Sequence, residues 1–251
     1  MSDRPKIRLH VDQPLGPEQT LDLSREQANY LFNVMRLGPG AEVALFNGRD
    51  GEWAASVAEA GKRGGVLRCV RQTAPLLLPP DLWLLFAPIK KARTDFIVEK
   101  AVEMGAARIM PVQTEFTNSE RIRQDRLQAH AVEAAEQCGG TFVPEVTDLH
   151  RLDRVLADWP DGRRLIFADE GAVGRSALLP DLVAADADQQ VQGSGWAILI
   201  GPEGGFSQAE RDRLRGLPFV HPIALGPRIL RADTAAVAAL TLFQSSLGDW
   251  R

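Results

Sequence analysis

This sequence predicts an α/β fold preceded by a smaller β-rich segment, on three observations. The apolar spacing changes near residue 74: before it, short runs are cut by Gly-rich turns; after it, apolar runs alternate with helical patterns. Leu82-Trp83-Leu84-Leu85-Phe86-Ala87, Leu165-Ile166-Phe167-Ala168 and Ala197-Ile198-Leu199-Ile200 are continuous apolar stretches. Strands covered on both faces of a parallel sheet read this way. Two late strands also run into glycine-bearing loops, Gly201-Pro202-Glu203-Gly204-Gly205-Phe206 and Gly226-Pro227-Arg228-Ile229-Leu230-Arg231. The expected organisation is a small barrel-like domain over residues 1–74 and an α/β domain over 75–251, with Thr73 to Pro80 as a proline-stiffened linker.

In the first segment, Ile7 to Val11 alternates as a half-buried strand does. Ser24-Arg25-Glu26-Gln27 is a capping-box signature, with Leu23 and Ala28 as a weak staple. The helix it starts would carry Tyr30, Leu31, Val34 and Met35 and stop at Gly38-Pro39-Gly40. Short strands follow at Glu42 to Phe46, Glu52 to Ala58 and Val66 to Val70, separated by Asn47 to Gly51 and Gly61 to Gly65, both turn signals. In the second segment Lys90-Lys91-Ala92-Arg93 leads into a helix with Ile97, Ala101 and Met104 on one face, ended by Gly105. A strand at Arg108 to Val112 and a long helix at Arg123 to Cys138 come next, the helix stopped by Gly139-Gly140. Leu182 to Gly195 reads as a polar connector. After the first glycine loop, Ser207-Gln208-Ala209-Glu210 is a second capping box. A strand at His221 to Leu225 and a small-residue helix at Ala232 to Leu247 complete the chain. No internal repeat is visible.

Bulk properties narrow the function. The 251 residues are 45% hydrophobic and 25% charged, enough for a real core. No apolar run is long enough to cross a bilayer, and the N-terminus lacks the apolar core of a signal peptide. Cys69 and Cys138 are far apart without metal spacing, so a reduced cytoplasmic protein is expected. His10, His130, His150 and His221 show no ligand spacing, and no metal is expected. There is no G-x-x-x-x-G-K-[ST] loop, no G-x-G-x-x-G after an early strand and no G-x-S-x-G elbow. The formal net charge of −4 is a whole-chain average. Lys62, Arg63, Arg68 and Arg71 form a local basic cluster that could grip phosphates, or are simply solvated turn and edge-strand charges.

Ligands bind at the carboxyl ends of parallel strands, between neighbouring loops, and glycine there lets main chain approach a ligand. The two late loops therefore read as a small-molecule site built largely from backbone. The helix after the first loop has its own serine on its free N–H groups, so a neutral or zwitterionic ligand suits the site better than an anion. Glu203 could orient a ligand or accept a proton, or face solvent. Arg228 and Arg231 flank Ile229-Leu230, placing two permanent cations beside an apolar wall, although either could form a surface ion pair. Ala232, Ala235, Ala236, Ala238 and Ala239 keep the last helix thin for a ligand, a strand or a second subunit to pack on, or simply for the core.

Ile200-Gly201-Pro202-Glu203-Gly204-Gly205 with Leu225-Gly226-Pro227-Arg228-Ile229-Leu230-Arg231 resembles the RsmE type of ribosomal RNA uridine-N3 methyltransferase, in the SPOUT superfamily. Asp95 to Gly105, Glu133 to Gly139 and Arg36 to Gly40 extend the resemblance, in order, over nearly the whole chain. The sequence departs from the family pattern at Ala232-Asp233, usually Thr-Glu, and at Gly140, usually arginine. The resemblance implies a SPOUT α/β domain with a C-terminal trefoil knot behind a PUA-like β-barrel. It implies a homodimer that binds S-adenosylmethionine and methylates one uridine N3 of 16S ribosomal RNA or of the small subunit. Cofactor contacts would fall to Leu199, Ile200, Gly201, Gly204, Gly205, Leu225, Gly226, Ile229, Leu230 and Ala232. Arg231, Glu203 and Arg228 would be the catalytic candidates, and Lys62, Arg63, Arg68, Arg71, Lys90 and Arg93 the RNA contacts. The alternatives are a ribose 2′-O-methyltransferase of the same superfamily and a non-catalytic RNA-binding module.

Overall fold

The computed structural model describes residues 4–61, 63–119, 121–172 and 195–250. Lys62 and most of the expected connector before Gly195 lie outside them. The chain forms two compact units: Met1–Leu78 with Ala135–Val143, and Pro79–Ala134 with Pro144–Arg251.

The first unit is a five-stranded sheet. Its strands are β1 Arg8–His10, β2 Thr20–Asp22, β3 Glu42–Phe46, β4 Glu52–Ala60 and β5 Gly65–Ala74, in the order β1-β3-β4-β5-β2. The β1–β3 pair is parallel and the others are antiparallel. The turn between β3 and β4 closes as its residues demand: the Asn47 side chain accepts from the N–H groups of Arg49 and Asp50, and Gly48 and Gly51 take positive φ. Leu9, Leu21, Leu31, Val43, Leu45, Val57 and Leu67 fill the core. The first capping box forms as expected on helix α1, Arg25–Ala28. The apolar face expected beyond it does not. The chain passes into a π-helical turn, Asn29–Val34, with Met35 N–H donating to Tyr30 C=O. The wider turn rotates the register, so Leu31 is fully buried while Val34 is 61% exposed.

The last turn of the helix Gln124–Cys138 belongs to this unit. Its free carbonyls are met by Arg8, which donates to Ala135 and Glu136 at 2.5 and 2.9 Å and to Gly140 at 2.6 Å. Gly139, at φ +82°, ends the helix as its position predicts. Arg8 is fixed in turn by Glu52, whose side chain is fully buried. Glu52 accepts from Arg8 at 2.8 Å, Arg4 at 2.6 Å and Thr73 at 2.7 Å. Burial alone would raise the Glu52 pKa, but the Thr73 and Arg8 hydrogen bonds and the two guanidinium charges outweigh it and hold the group below the ordinary 4.5.

Among its described residues the second unit forms a seven-stranded, wholly parallel sheet. Its strands are β6 Leu82–Phe86, β7 Arg108–Gln113, β8 Glu145–Val146, β9 His150–Arg151, β10 Arg164–Ala168, β11 Trp196–Ile200 and β12 Val220–Ile223. The order is β12-β10-β11-β6-β7-β8, with β9 also paired to β7. Among the described residues the helices are α2 Lys91–Glu103, α3 Gln124–Cys138, α4 Leu152–Ala157, α5 Gln208–Arg215 and α6 Ala232–Ser246. Leu85, Leu165, Phe167, Ala197 and Leu199 point to one face, under Leu152 and Leu156 of α4 and Leu214 of α5. Alternation sends Leu84, Ile166 and Ile198, all buried, to the other face, where α6 packs on β11 and α2. The fully buried Gln244 of α6 donates to Met104 C=O at 2.6 Å, joining α6 to the end of α2, where Gly105 turns at φ +74°. The segments β8, β9 and α4 were not anticipated; the two strands are only two residues long, too short to leave a periodic signal.

Removing the Glu52 charge leaves Arg8 desolvated and unpaired. Glu52→Gln is expected to lose roughly 3–5 kcal/mol at pH 7. A carboxyl whose folded pKa is depressed stabilises fully above its unfolded value, and that contribution is lost as pH falls through the folded value. Urea titrations should show the gap between wild type and variant narrowing from pH 7 to pH 3. A gap independent of pH would remove the ionised carboxylate from the explanation.

Candidate active site

The site follows from register. β10 pairs with β11 and β12, and β11 with β6, all parallel, so four carboxyl ends lie side by side. The pairing continues one residue past the strands, with Ala87 N–H donating to Ile200 C=O and Asp169 N–H to Ile223 C=O, each at 3.0 Å. Between the loops that leave β10, β11 and β12 lies a cavity of about 320 Å³. Ala168, Asp169 and Glu170 line it from β10. Ile200 to Glu203 and Gly205 line it from β11. Leu225, Arg228 to Ala232 and Ala235 line it from β12 and α6. This volume is at the lower end of the range of about 300–1,000 Å³ usual for small-molecule sites.

The loop after β11 is rigid for local reasons. Gly205 N–H closes a turn onto Pro202 C=O at 3.0 Å. Phe206 then inserts into the core and meets Phe167 edge-on, centroids 4.9 Å apart. A Cβ on Gly201 would stand 2.5 Å from the Phe206 ring. Gly205 takes φ +69°, and a Cβ there would collide with the Glu170 carboxylate. At both positions only glycine fits, which leaves main chain uncovered at the cavity. Ser207 and Glu210 form the second capping box, so the N-terminus of α5 is occupied by its own side chains.

Asp169 and Glu170 brace the loop from β10. Glu170 accepts from Phe206 N–H at 2.9 Å and from Arg211 at 2.7 Å. The buried Asp169 accepts from Gly171 N–H at 2.9 Å and pairs with Arg215 and, at 3.7 Å, with Arg211. These two acids were missed in the sequence. They directly follow the apolar run Leu165 to Ala168, so the strand-end rule that picked out the other two loops would have found them.

The charged residues divide into paired and unpaired. Arg93 of α2 reaches Glu203 at 3.1 Å and Asp233 at 3.6 Å, drawing one expected RNA contact onto one expected catalytic carboxylate. Arg228 and Arg231 are exposed, and among the described residues neither has an ionic partner. Arg231 is also the N-cap residue of α6. Ile229, between them, is 76% exposed.

Of the residues expected at the site, Ile200, Gly201, Glu203, Gly205, Leu225, Arg228, Ile229, Leu230, Arg231 and Ala232 share this cavity. Leu199 is buried in the core and is not among the cavity residues. Gly204 backs onto Phe116, and Gly226 sits in the second loop at φ +107°, neither among the cavity residues. In the first unit, Arg71 pairs with Glu42 at 2.7 Å and Arg68 with Glu18 at 3.7 Å, while Arg63 is exposed in the turn before β5. Lys90 is exposed at the N-cap of α2.

Comparison with known proteins agrees with this geometry. The RNA methyltransferase domain family matches residues 77–244, and the RNA methyltransferase PUA domain matches residues 23–68. Ribosomal RNA small subunit methyltransferase E of Mycobacterium tuberculosis is 30% identical over 227 residues, covering 86% of this chain and 82% of that protein. The enzyme of the same name from Bacillus subtilis is 27% identical over 237 residues, 91% of each chain. The crystal structure of ribosomal RNA small subunit methyltransferase E from Neisseria gonorrhoeae, bound to S-adenosyl methionine, superposes with a TM-score of 0.85 at 26% identity, covering 98% of this chain and 99% of that one. A methyltransferase of Legionella pneumophila with bound SAM gives 0.83 at 30% identity, over 97% and 98%. A glycine-loop cavity at parallel strand ends, in a chain matched nearly end to end by these enzymes, means that this protein belongs to the family of ribosomal RNA small subunit methyltransferase E.

Proposed function

We propose that this protein transfers the methyl group of S-adenosylmethionine to N3 of a uridine in small-subunit ribosomal RNA. The observation that carries the reading is a pair of arginines, Arg228 and Arg231, without ionic partners among the described residues, on the rim of a cavity walled by glycine main chain. The cavity fits the cofactor. Ile200, Leu225, Ile229 and Leu230 offer apolar surface to an adenosyl group, and the bare backbone around Gly201 and Gly205 offers hydrogen bonds without side-chain bulk. When bound, the cofactor supplies an electrophilic methyl group on sulfur.

The chain's own residues then have three tasks. The rigid loops hold donor and acceptor in line, which can supply much of the acceleration. Arg231, and secondarily Arg228, stabilises the negative charge that spreads onto O2 and O4 as N3 gives its proton to solvent water; the N3–methyl bond would then form as the sulfur–methyl bond breaks, leaving the neutral thioether. Glu203 is engaged by Arg93 at 3.1 Å, so taking up that proton would break an ion pair; Asp233 is held more loosely at 3.6 Å. This favours arginine stabilisation over a dedicated base. The target base must leave its stack to expose N3, so looped or single-stranded RNA suits the site.

The same reading assigns RNA holding to residues 1–74 as a PUA-like β-barrel, and catalysis to residues 75–251 with a C-terminal trefoil knot. The PUA-domain match over 23–68 and the parallel sheet support it. Arg63 and Lys90 are exposed for RNA, whereas Arg68 and Arg71 would have to release Glu18 and Glu42. A homodimer across α6, with Thr234 and Thr241 exposed between half-buried alanines, and a cytoplasmic setting complete the proposal.

Small-subunit RNA incubated with the protein and S-adenosylmethionine, then digested to nucleosides, should yield 3-methyluridine by mass spectrometry. A ribose-methylated product, or none, defeats the proposal. Arg231→Ala should slow single-turnover transfer by about 10²–10³-fold while cofactor affinity by calorimetry stays unchanged. An undiminished transfer rate would take Arg231 out of the mechanism.

A further inference from the structure

A second cavity, of about 270 Å³, opens beside the first at the next strand end. β6 ends at Phe86, and Ala87 is hydrogen-bonded to Ile200 of the first cavity. The next residue, Pro88, already lines the second. The first turn of α2 separates the two. Lys91 and Thr94 face the second cavity, while Arg93 between them reaches Glu203 and Asp233 at the first.

The second cavity is strongly basic. Lys91, Arg121, Arg123 and Arg126 line it, against one described carboxylate, Asp95. Arg126 is locked to the buried Asp95 at 2.6 Å, and Arg123 pairs with Asp125 at 2.6 Å. Lys91 and Arg121 are exposed and have no ionic partner among the described residues. The loop between is held by Thr94, whose hydroxyl accepts from Ile89 N–H at 3.0 Å and donates to Ile89 C=O at 3.1 Å. A fixed guanidinium and two cations without a counter-ion among the described residues thus surround a shaped space, in a chain whose net charge is −4. Such a site suits an anion, and the proposed substrate carries one at every nucleotide.

We propose that this cavity binds a backbone phosphate of the RNA strand adjoining the nucleotide in the first cavity, with Lys91 and Arg121 making the charge contacts and Arg126 forming the fixed wall. The identity of the anion rests on the proposed function; the basic cavity does not. The strand would run across the first turn of α2, so the methylated base and its neighbouring phosphate would be held by adjoining loops of one sheet. Phosphate contacts of this kind set position without reading sequence.

The test measures binding of the whole protein to a small-subunit RNA fragment over a range of KCl concentrations, for wild type, Lys91→Gln, Arg121→Gln and the double variant. Each lost phosphate contact should make the slope of log K against log salt shallower by about 0.7–0.9. The double variant, having lost the contact, should show that full change and each single variant part of it, with a raised KM for RNA, kcat at saturating RNA within twofold of wild type, and unchanged cofactor affinity and melting temperature. A wild-type slope in the double variant overturns the cavity's role, as does a wild-type protein that binds no RNA. Binding is read without methyl transfer, so the two proposals fail separately. Shallower slopes with no methylation would keep the phosphate site and sink the uridine-N3 reading; normal methylation with unaltered slopes would do the reverse.

Discussion

Parallel register among β12, β10, β11 and β6 is the constraint on which the candidate site depends. It brings four carboxyl ends level, and the backbone bonds Asp169 to Ile223 and Ala87 to Ile200 extend the alignment into the loops. Loops that would otherwise be separate surface features become walls of two neighbouring cavities. The buried faces of these strands give the alignment its rigidity, since Leu85, Ile166, Phe167, Ile198 and Leu199 are almost wholly excluded from water. Slipping the register of a parallel strand would break its ladder and move apolar side chains out of well-packed positions.

Around the first cavity, side chains serve mainly to hold main chain. Phe206 anchors the loop after β11, Glu170 takes its N–H, and Arg211 and Arg215 neutralise Glu170 and Asp169 behind it. Buried ion pairs of this kind contribute little net stability, because desolvation offsets their attraction, but losing one partner is costly. Their consequence here is geometric: a loop with glycine at 201 and 205 has little intrinsic stiffness, and these contacts restrict it to one shape. The first unit uses the same device, where Glu52 orients Arg8 and Arg8 closes the end of α3.

Charge is distributed more pointedly than the total suggests. Arg93 is neutralised by Glu203 and Asp233, while Arg228 and Arg231 beside it, and Lys91 and Arg121 one loop away, have no counter-ion among the described residues. An acidic chain can therefore present a basic strip along the edge where its loops converge. Local fields of this sort, and not the net charge, govern encounter with a polyanion.

Local signals were readable directly from the sequence. Both capping boxes, the glycine stops at Gly105 and Gly139, the apolar strands and the two glycine loops each follow from residues a few positions apart, and each is found where the pattern places it. The ordered motifs also carried the family. What only the tertiary structure decided involves partners far apart in the chain. Glu203 meets Arg93 across 110 residues, and Glu170 takes the N–H of a loop 36 residues on. The second cavity joins the first turns of two helices, α2 and α3. The π-turn after α1 also departs from periodicity, since its Met35-to-Tyr30 bond accompanies a buried Leu31 and an exposed Val34, where the helical pattern places both on one face. Periodicity and capping depend on near neighbours; charge pairing and cavity shape depend on which strand ends the sheet order brings together.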